Sequence, residues 1–311
     1  LPLEQVDRIR QALPGVDVVD VRDESQAGAA MAKGDVALAT RMTEATLAGA
    51  SGLRWVHSTA VGVGGLPLAA LASLGIPVTN TRTVHAEMIA EHALAMLLGL
   101  RRQFPAAAGH RVARTWGQRE MSTVEVPRLT ATTVLVLGLG AIGERFAAFA
   151  SALGMSVVGI RRDVTRGQVP GVARVEPLSA LRDLLPTADA VVVALPHTPE
   201  THHVLGAVEL ALMKPSAVVI NVARGTLIDE AALAGALVAG RLGGAGLDVF
   251  TREPLPVDSP LWTTPRTILT PHTSAFDGDY WTPAVDLFLS NWYRFVAGEP
   301  LENRVDPARG Y

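Results

Sequence analysis

Along most of the chain, short apolar runs alternate with longer stretches in which apolar residues recur every three or four positions. The runs VDVVDV (16–21), VALAT (36–40), RWVHST (54–59) and IPVTNT (76–81) predict early strands. TVLVLG (133–138), SVVGIR (156–161), AVVVAL (190–195), AVVINV (217–222), GAGLDVF (244–250) and TILTP (267–271) predict later ones. The later runs are apolar at nearly every position rather than at every second one. A strand in the middle of a parallel sheet reads that way, because helices cover both of its faces. Repeated strand–helix alternation predicts an α/β chain with doubly wound parallel sheets.

The strands fall into two groups. Between them lies a long helical pattern over about 84–103. The polar, arginine-rich segment RRQFPAAAGHRVARTWGQREMSTVEVPRLTAT follows, interrupted by Pro105, Gly117 and Pro127. This arrangement predicts two α/β domains, with the helix as bridge. From about residue 283 the pattern is helical again, in PAVDLFLSNWYRFVAG.

Composition narrows the function. The 311 residues carry a net charge of -3 without an acidic or basic block, which argues against a nucleic-acid footprint or a membrane-binding face. The richest apolar stretch, MIAEHALAMLLGL (88–100), contains Glu91 and His92 and reads as a buried helix rather than a span. There is no cysteine, so disulfides, thiol nucleophiles and thiolate zinc sites are excluded, and a reducing cytoplasmic setting is expected. No GxSxG elbow, phosphate-binding GK[ST] loop or HExxH helix is present. His85 and His92 are about 10 Å apart along a helix, too far to share an ion. His202 and His203 are expected to diverge, and His197 to lie on a surface loop or the adenosine side; no metal is expected.

One motif carries specific chemistry. The strand TVLVLG runs into GLGAIG, a helix and a second strand, SVVGIR, within a unit of about 30 residues. In that context Gly138 permits a tight turn, Gly140 lets backbone approach a pyrophosphate, and Gly143 lets helix and strand close up. The amides of Ala141 and Ile142, at the helix start, face the anion. A site for NAD would place an acid at the end of the second strand, to hold the ribose 2′-hydroxyl. Arg161 and Arg162 stand there instead. A guanidinium attracts a 2′-phosphate where a carboxylate repels it, so NADP(H) is favoured over NAD(H). Asp163 is the one neighbouring residue able to serve a ribose.

From here the chain resembles the D-2-hydroxyacid dehydrogenase family, which includes glyoxylate and hydroxypyruvate reductases. The matching pieces are GLGAIG (138–143), LPHTPETHHVLG (195–206), MKPSAVVINVARG (213–225), GLDVFTREPLP (246–256), TPHTSAF (270–276) and the tail from 291. The resemblance implies a Rossmann cofactor domain over 102–282 and a smaller flavodoxin-like substrate domain from 1–101 plus 283–311. It implies Arg224, Glu253 and His272 as catalytic residues, and each suits the task. Arginine offers a planar fork to the carboxylate of a 2-keto acid. Histidine can donate a proton near neutral pH, and a neighbouring carboxylate orients it and favours its charged form. Asp248 falls where the family contacts the nicotinamide carboxamide, with the backbone of Val222 and Ala223 beside it. The loop STAVGVGGL (58–66) matches the one whose amides hold the substrate carboxylate, through Val61 and Gly62. The family often has Asp where Gly64 stands.

The reading is a reductase of short 2-keto acids, and the resemblance implies a homodimer. Two rivals share the scaffold: a formate dehydrogenase-like enzyme, which Glu253 counts against, and a non-catalytic dinucleotide-sensing, corepressor-like protein. Trp116, Trp281 and Trp292 are candidate pocket aromatics, with core or interface packing as the alternative. Family members begin with an apolar strand. This chain opens on a helical pattern (Leu3, Val6, Ile9, Leu13) without an initiator Met, so that strand is expected to be absent or placed differently.

Overall fold

The computed structural model describes residues 1–310. The chain divides into two compact units, one formed by Leu1–His85 with the chain from Phe276 onward, the other by Ala86–Ala275. The helices that shape them are α1 (Leu3–Ala12), α2 (Ala86–Arg101), α3 (Phe104–Ala113), α4 (Ala141–Ala152), α5 (Glu230–Val238) and α6 (Trp281–Ala297). No described helix is long and apolar enough to cross a membrane.

The first unit holds a three-stranded parallel sheet in the order β1 (Val36–Leu38), β2 (Trp55–His57), β3 (Val78–Thr79). Every residue of β2 is buried, as expected of a strand covered on both faces. Ile9 and Leu13, from α1 and its end, pack with Val285 and Phe288 of α6 onto Trp55, whose ring stacks on Phe288 at 5.4 Å. Leu47, Leu53, Val56, Leu71 and Val78 form a separate cluster. The predicted strand at 16–21 does not form. Val16 and Val18 rest on the α1–α6 cluster while Val19 and Val21 face solvent. Alternation lets an extended segment bury one side, but a strand also needs a hydrogen-bonded neighbour. None pairs with this segment among the described residues.

The second unit is a seven-stranded sheet, parallel throughout, in the order β10-β9-β8-β7-β4-β5-β6. The strands are β4 (Thr133–Leu137), β5 (Ser156–Ile160), β6 (Arg174–Glu176), β7 (Ala190–Val193), β8 (Val218–Asn221), β9 (Gly244–Leu247) and β10 (Thr267–Leu269). The chain winds from β4 out to β6, returns to pair β7 with β4, then winds the other way to β10. The reversal between β4 and β7 opens a crevice at their carboxyl ends, where such sheets bind ligands. β4 shows why its run is wholly apolar. Leu135 and Leu137 join the core on one face, and Val134 and Val136 the core on the other. β6 was not foreseen, because RVE is a short, partly exposed edge strand that leaves little apolar trace.

Helix α2, expected to close the first domain, packs instead on this sheet. Ile89, Ala90, Ala93, Met96, Leu97 and Leu100 join the core with Val134, Val136 and Phe146. Glycines set the approach. A Cβ on Gly246 would lie 2.9 Å from the Met96 Cβ, one on Gly244 3.1 Å from Leu100 Cδ2, and one on Gly99 3.1 Å from Ile268 Cδ1. The division therefore falls at 85/86 rather than 101/102, and at 275/276 rather than 282/283.

His57 makes the first unit sensitive to acid. It is fully buried. Its Nδ1 lies 2.7 Å from Thr79 Oγ1, and Nε2 has no partner among the described residues. Burial lowers its pKa to about 4. The unfolded chain binds a proton from pH 6.5 downward that the folded unit refuses, so this contribution to stability is present above pH 6.5 and lost as pH falls toward 4. Denaturant unfolding should show a loss of about 3 kcal/mol over that range. In His57→Leu the acid-induced loss should shrink by that amount; an identical loss would refute the assignment.

Candidate active site

The fingerprint residues lie at the carboxyl end of β4. Gly138 has φ 101°, a left-handed conformation that favours glycine, and a Cβ there would lie 2.6 Å from the Ala194 carbonyl oxygen. A Cβ on Gly143 would lie 1.8 Å from the Gly138 oxygen, so helix and turn close up only because it is glycine. Gly140, the residue before α4, has open space where a side chain would go. Ala141 and Ile142 are the first two residues of α4, where backbone amides lack intrahelical acceptors. A glycine cradle open at Gly140 and a helix start with unused donors fit a pyrophosphate.

At the end of β5, Arg161 is buried and donates from Nη2 to the Gly167 carbonyl at 2.8 Å. Its Nε is buried with no partner among the described residues. Arg162 is exposed, with Nη2 3.3 Å from Glu200 Oε2. The Asp163 carboxylate folds back on its own turn, accepting from the Thr165 amide at 3.0 Å and the Thr165 hydroxyl at 2.6 Å. Those bonds are the main reason its pKa sits below the usual carboxylate value.

Beyond β8, Val222 and Ala223 are buried and Arg224 is partly so. Asn221, fully buried at the strand end, braces this turn by donating to the Arg224 carbonyl at 2.9 Å and accepting from the Ala223 amide at 3.1 Å. The Arg224 guanidinium bends back to the Ala223 carbonyl at 2.6 Å. Burial lowers its pKa, and the negative charge of Glu253 opposes that shift. Gly225 locks the two loops together. A Cβ there would lie 1.9 Å from the Phe250 carbonyl carbon, so the Arg224 turn rests on the backbone of the loop that carries Glu253.

Glu253 and His272 meet directly, with Oε2 2.7 Å from Nδ1. The other Glu253 oxygen accepts from the Phe250 amide at 2.9 Å. His272 has φ 55°, unusual outside glycine, and the strain is held by its surroundings. Its amide donates to the Asp248 carbonyl at 2.8 Å. The Asp248 carboxylate accepts from the Thr270 hydroxyl at 2.6 Å and from the amides of Thr273 and Ser274 at 2.9 and 3.0 Å. Burial is the largest single influence on Asp248 and pushes its pKa up, but these bonds together hold it below the usual carboxylate value. Asp248, assigned by resemblance to the carboxamide, has no exposed surface, and both its oxygens are engaged by the His272 loop.

The structure thus brings Arg224, Glu253, His272 and Asp248 onto the loops after β8, β9 and β10. Val61 and Gly62 lie on a loop of the first unit. Asn80 Nδ2 donates to the Val61 carbonyl at 2.7 Å, and among the described residues the Val61 and Gly62 amides have no acceptor. One expectation is corrected. His202 and His203 do not diverge; their rings stack at 4.1 Å, with His203 in the left-handed region at φ 49° rather than in the extended or helical backbone that would splay neighbouring side chains. Exposed His197 meets His202 edge-on at 5.6 Å. Trp292 packs on the α1–α6 cluster, Trp281 lies edge-on to Tyr280, and Trp116 is 88% exposed. Sequence reasoning passed over Asn221 and Thr270. Their signal is a polar residue closing an otherwise apolar strand, as in VVIN and TILT.

Gly225→Ala should lower the denaturant midpoint by the equivalent of about 1–3 kcal/mol, since the clash is with backbone. Gly140→Ala should change stability by less than about 1 kcal/mol while weakening dinucleotide binding in a fluorescence titration. Equal effects of the two on stability would contradict the geometry.

Comparison with known proteins agrees with this picture. Residues 94–274 match the family model for the D-isomer specific 2-hydroxyacid dehydrogenase NAD binding domain. D-3-phosphoglycerate dehydrogenase of Mycobacterium bovis is 39% identical over 260 residues, 83% of this chain. The chain spans only about half the length of that relative, 48%. Glyoxylate/hydroxypyruvate reductase B of Pectobacterium carotovorum is 34% identical over 280 residues, covering 89% of this chain and 87% of the relative. A solved D-isomer specific 2-hydroxyacid dehydrogenase from Xanthobacter autotrophicus, in complex with NADPH and MES, superposes with a TM-score of 0.85 at 32% identity, covering 100% of this chain and 96% of that one. The chain belongs to the D-isomer specific 2-hydroxyacid dehydrogenase family.

Proposed function

We propose that the chain reduces a short 2-keto acid, of the glyoxylate or hydroxypyruvate kind, to the D-2-hydroxy acid with NADPH preferred over NADH. The observation that carries this reading is the His272–Glu253 pair at 2.7 Å, with the half-buried Arg224 cation close enough to feel the Glu253 charge. Glu253 engages Nδ1 of His272, which leaves Nε2 as the nitrogen that gives a proton to the substrate oxygen. Arg224 receives the substrate carboxylate, and its partial burial strengthens that pairing. The nicotinamide, when bound, supplies the hydride that reduces the carbonyl carbon. Gly138, Gly140, Gly143 and the first amides of α4 would hold the pyrophosphate, and Val222 and Ala223 the nicotinamide.

The preference for NADPH rests on Arg161 and Arg162 at the strand end. It is supported by the engagement of Asp163 in its own turn, away from a ribose role. NADPH is also the dinucleotide in the Xanthobacter relative. The choice of an unphosphorylated substrate is supported by the match along nearly the full length of a glyoxylate/hydroxypyruvate reductase. We read the protein as a cytoplasmic homodimer. Phe104, Val112, Trp116 and Val124 present apolar side chains outward along one segment, as a protein interface would.

Initial rates with glyoxylate and hydroxypyruvate, each with NADPH and NADH, test the reading. A clear NADPH preference is expected, lost in Arg161→Ala/Arg162→Ala. His272→Ala should lower kcat by about 10²–10⁴-fold. Arg224→Ala should abolish most activity while leaving the fold. Wild-type turnover in Arg224→Ala would sink the assignment, and cofactor binding without turnover of any keto acid would favour the sensor reading.

A further inference from the structure

Helix α2 reaches the catalytic loop through one side chain. His92 lies on α2, partly buried, with Nε2 3.0 Å from Thr270 Oγ1. The Thr270 hydroxyl is also 2.6 Å from Asp248 Oδ1, to which it donates. A hydroxyl has one proton to give, and an ionised carboxylate can only accept. Thr270 must therefore accept from His92, which fixes the proton of His92 on Nε2. The result is a directed chain: His92 Nε2–H to Thr270 Oγ1–H to the Asp248 carboxylate. His92 Nε2 is itself 3.8 Å from Asp248 Oδ1, and no other ion-pair partner of Asp248 occurs among the described residues.

The backbone around His272 is held at the far end of this chain. Asp248 takes the amides of Thr273 and Ser274 on its carboxylate and the amide of His272 on its carbonyl. The His272 amide also reaches the Thr270 carbonyl at 3.0 Å. Thr270 is thus tied to His272 by its backbone and to Asp248 by its side chain. We propose that His92 is a positioning residue for catalysis, which acts through Thr270 and Asp248 to hold His272 against Glu253 in its left-handed conformation. The closely packed α2–sheet seam gives His92 its fixed height over β10. Removing its donor leaves the Thr270 oxygen short of a partner and frees the hydroxyl to turn away from Asp248. The inference rests on the proposed reductase function for its kinetic arm only.

The test uses the full chain and the variants His92→Leu, His92→Gln, Thr270→Val and Thr270→Ser. Kinetics and NMR are run on each. His92→Leu and Thr270→Val should each lower kcat about tenfold with KM nearly unchanged, as expected when a reacting group is displaced rather than a binding contact removed. The double variant should be no worse than either single one, because both break the same chain. His92→Gln, which keeps a donor, and Thr270→Ser, which keeps the hydroxyl, should restore most of the loss. Without any substrate, 15N-labelled histidine should report His92 as the Nε2–H tautomer. The low-field proton of His272 Nδ1, identified by its loss in Glu253→Gln, should vanish in His92→Leu and persist in His92→Gln. Unchanged kcat and an unchanged His272 signal in His92→Leu would overturn the proposal. So would independent, multiplying losses in the double variant, or an Nδ1–H tautomer at His92. If the wild type turns over no keto acid, the functional reading fails and the NMR arm alone decides this one.

Discussion

A carboxylate without exposed surface must find all its partners in the protein, and Asp248 is such a group. Leaving even one lobe unmatched in a dry interior costs several kcal/mol, so the surrounding backbone is organised around it. Amides from Thr273 and Ser274 and the hydroxyl of Thr270 converge on its two oxygens. That convergence bends the chain sharply after β10 and leaves His272 at a φ of 55° that an unsupported histidine would abandon. The position of the imidazole beside Glu253 is a consequence of where a buried charge is satisfied. Its support lies beneath it, at the buried Asp248 just past the end of β9, rather than among groups that face solvent.

The same logic of support runs through the neighbouring turns. Asn221 braces the backbone on either side of Arg224, and Gly225 lets that turn lie against Phe250 without a gap. The loops after β8, β9 and β10 are thereby joined into one structure. Each would be mobile alone, since a loop has few backbone bonds of its own. Together they present two ionic side chains and an imidazole from three strands with little freedom to drift, which is the condition for pre-organised chemistry.

Much of this was legible in the sequence. The parallel sheet of the second unit declared itself through wholly apolar runs, because each of its inner strands is buried on both faces. The dinucleotide fingerprint was legible because glycine is demanded by geometry that no other residue meets, as at Gly143. The run at 16–21 misled because alternation records burial of one side and says nothing about whether a strand lies alongside. β6 was missed for the opposite reason, since an edge strand of three residues leaves almost no hydrophobic trace. The unit boundary was misplaced because a helix shows that it has an apolar face but not which sheet it covers. The supporting polar residues were hardest to see. Asn221 and Thr270 are ordinary residue types, and only their placement at strand ends, next to buried backbone, gives them work.

The seam between α2 and the sheet bears on how this protein can change. Gly99, Gly244 and Gly246 each stand where even one added carbon would meet a neighbour at about 3 Å. Protein interiors usually tolerate drift by trading volume between neighbours, a methyl lost here and gained there. No such trade is open where the smaller partner is already glycine and the contact reaches the stem of the opposing side chain, as with the Met96 Cβ. Variation along this seam is confined to the side chains that face the glycines, Met96 and Leu100 on the helix and Ile268 on the sheet, and there to residues no larger than those present. Attempts to stabilise the chain by filling its core would gain nothing here, because this part of the molecule is already as close as atoms allow.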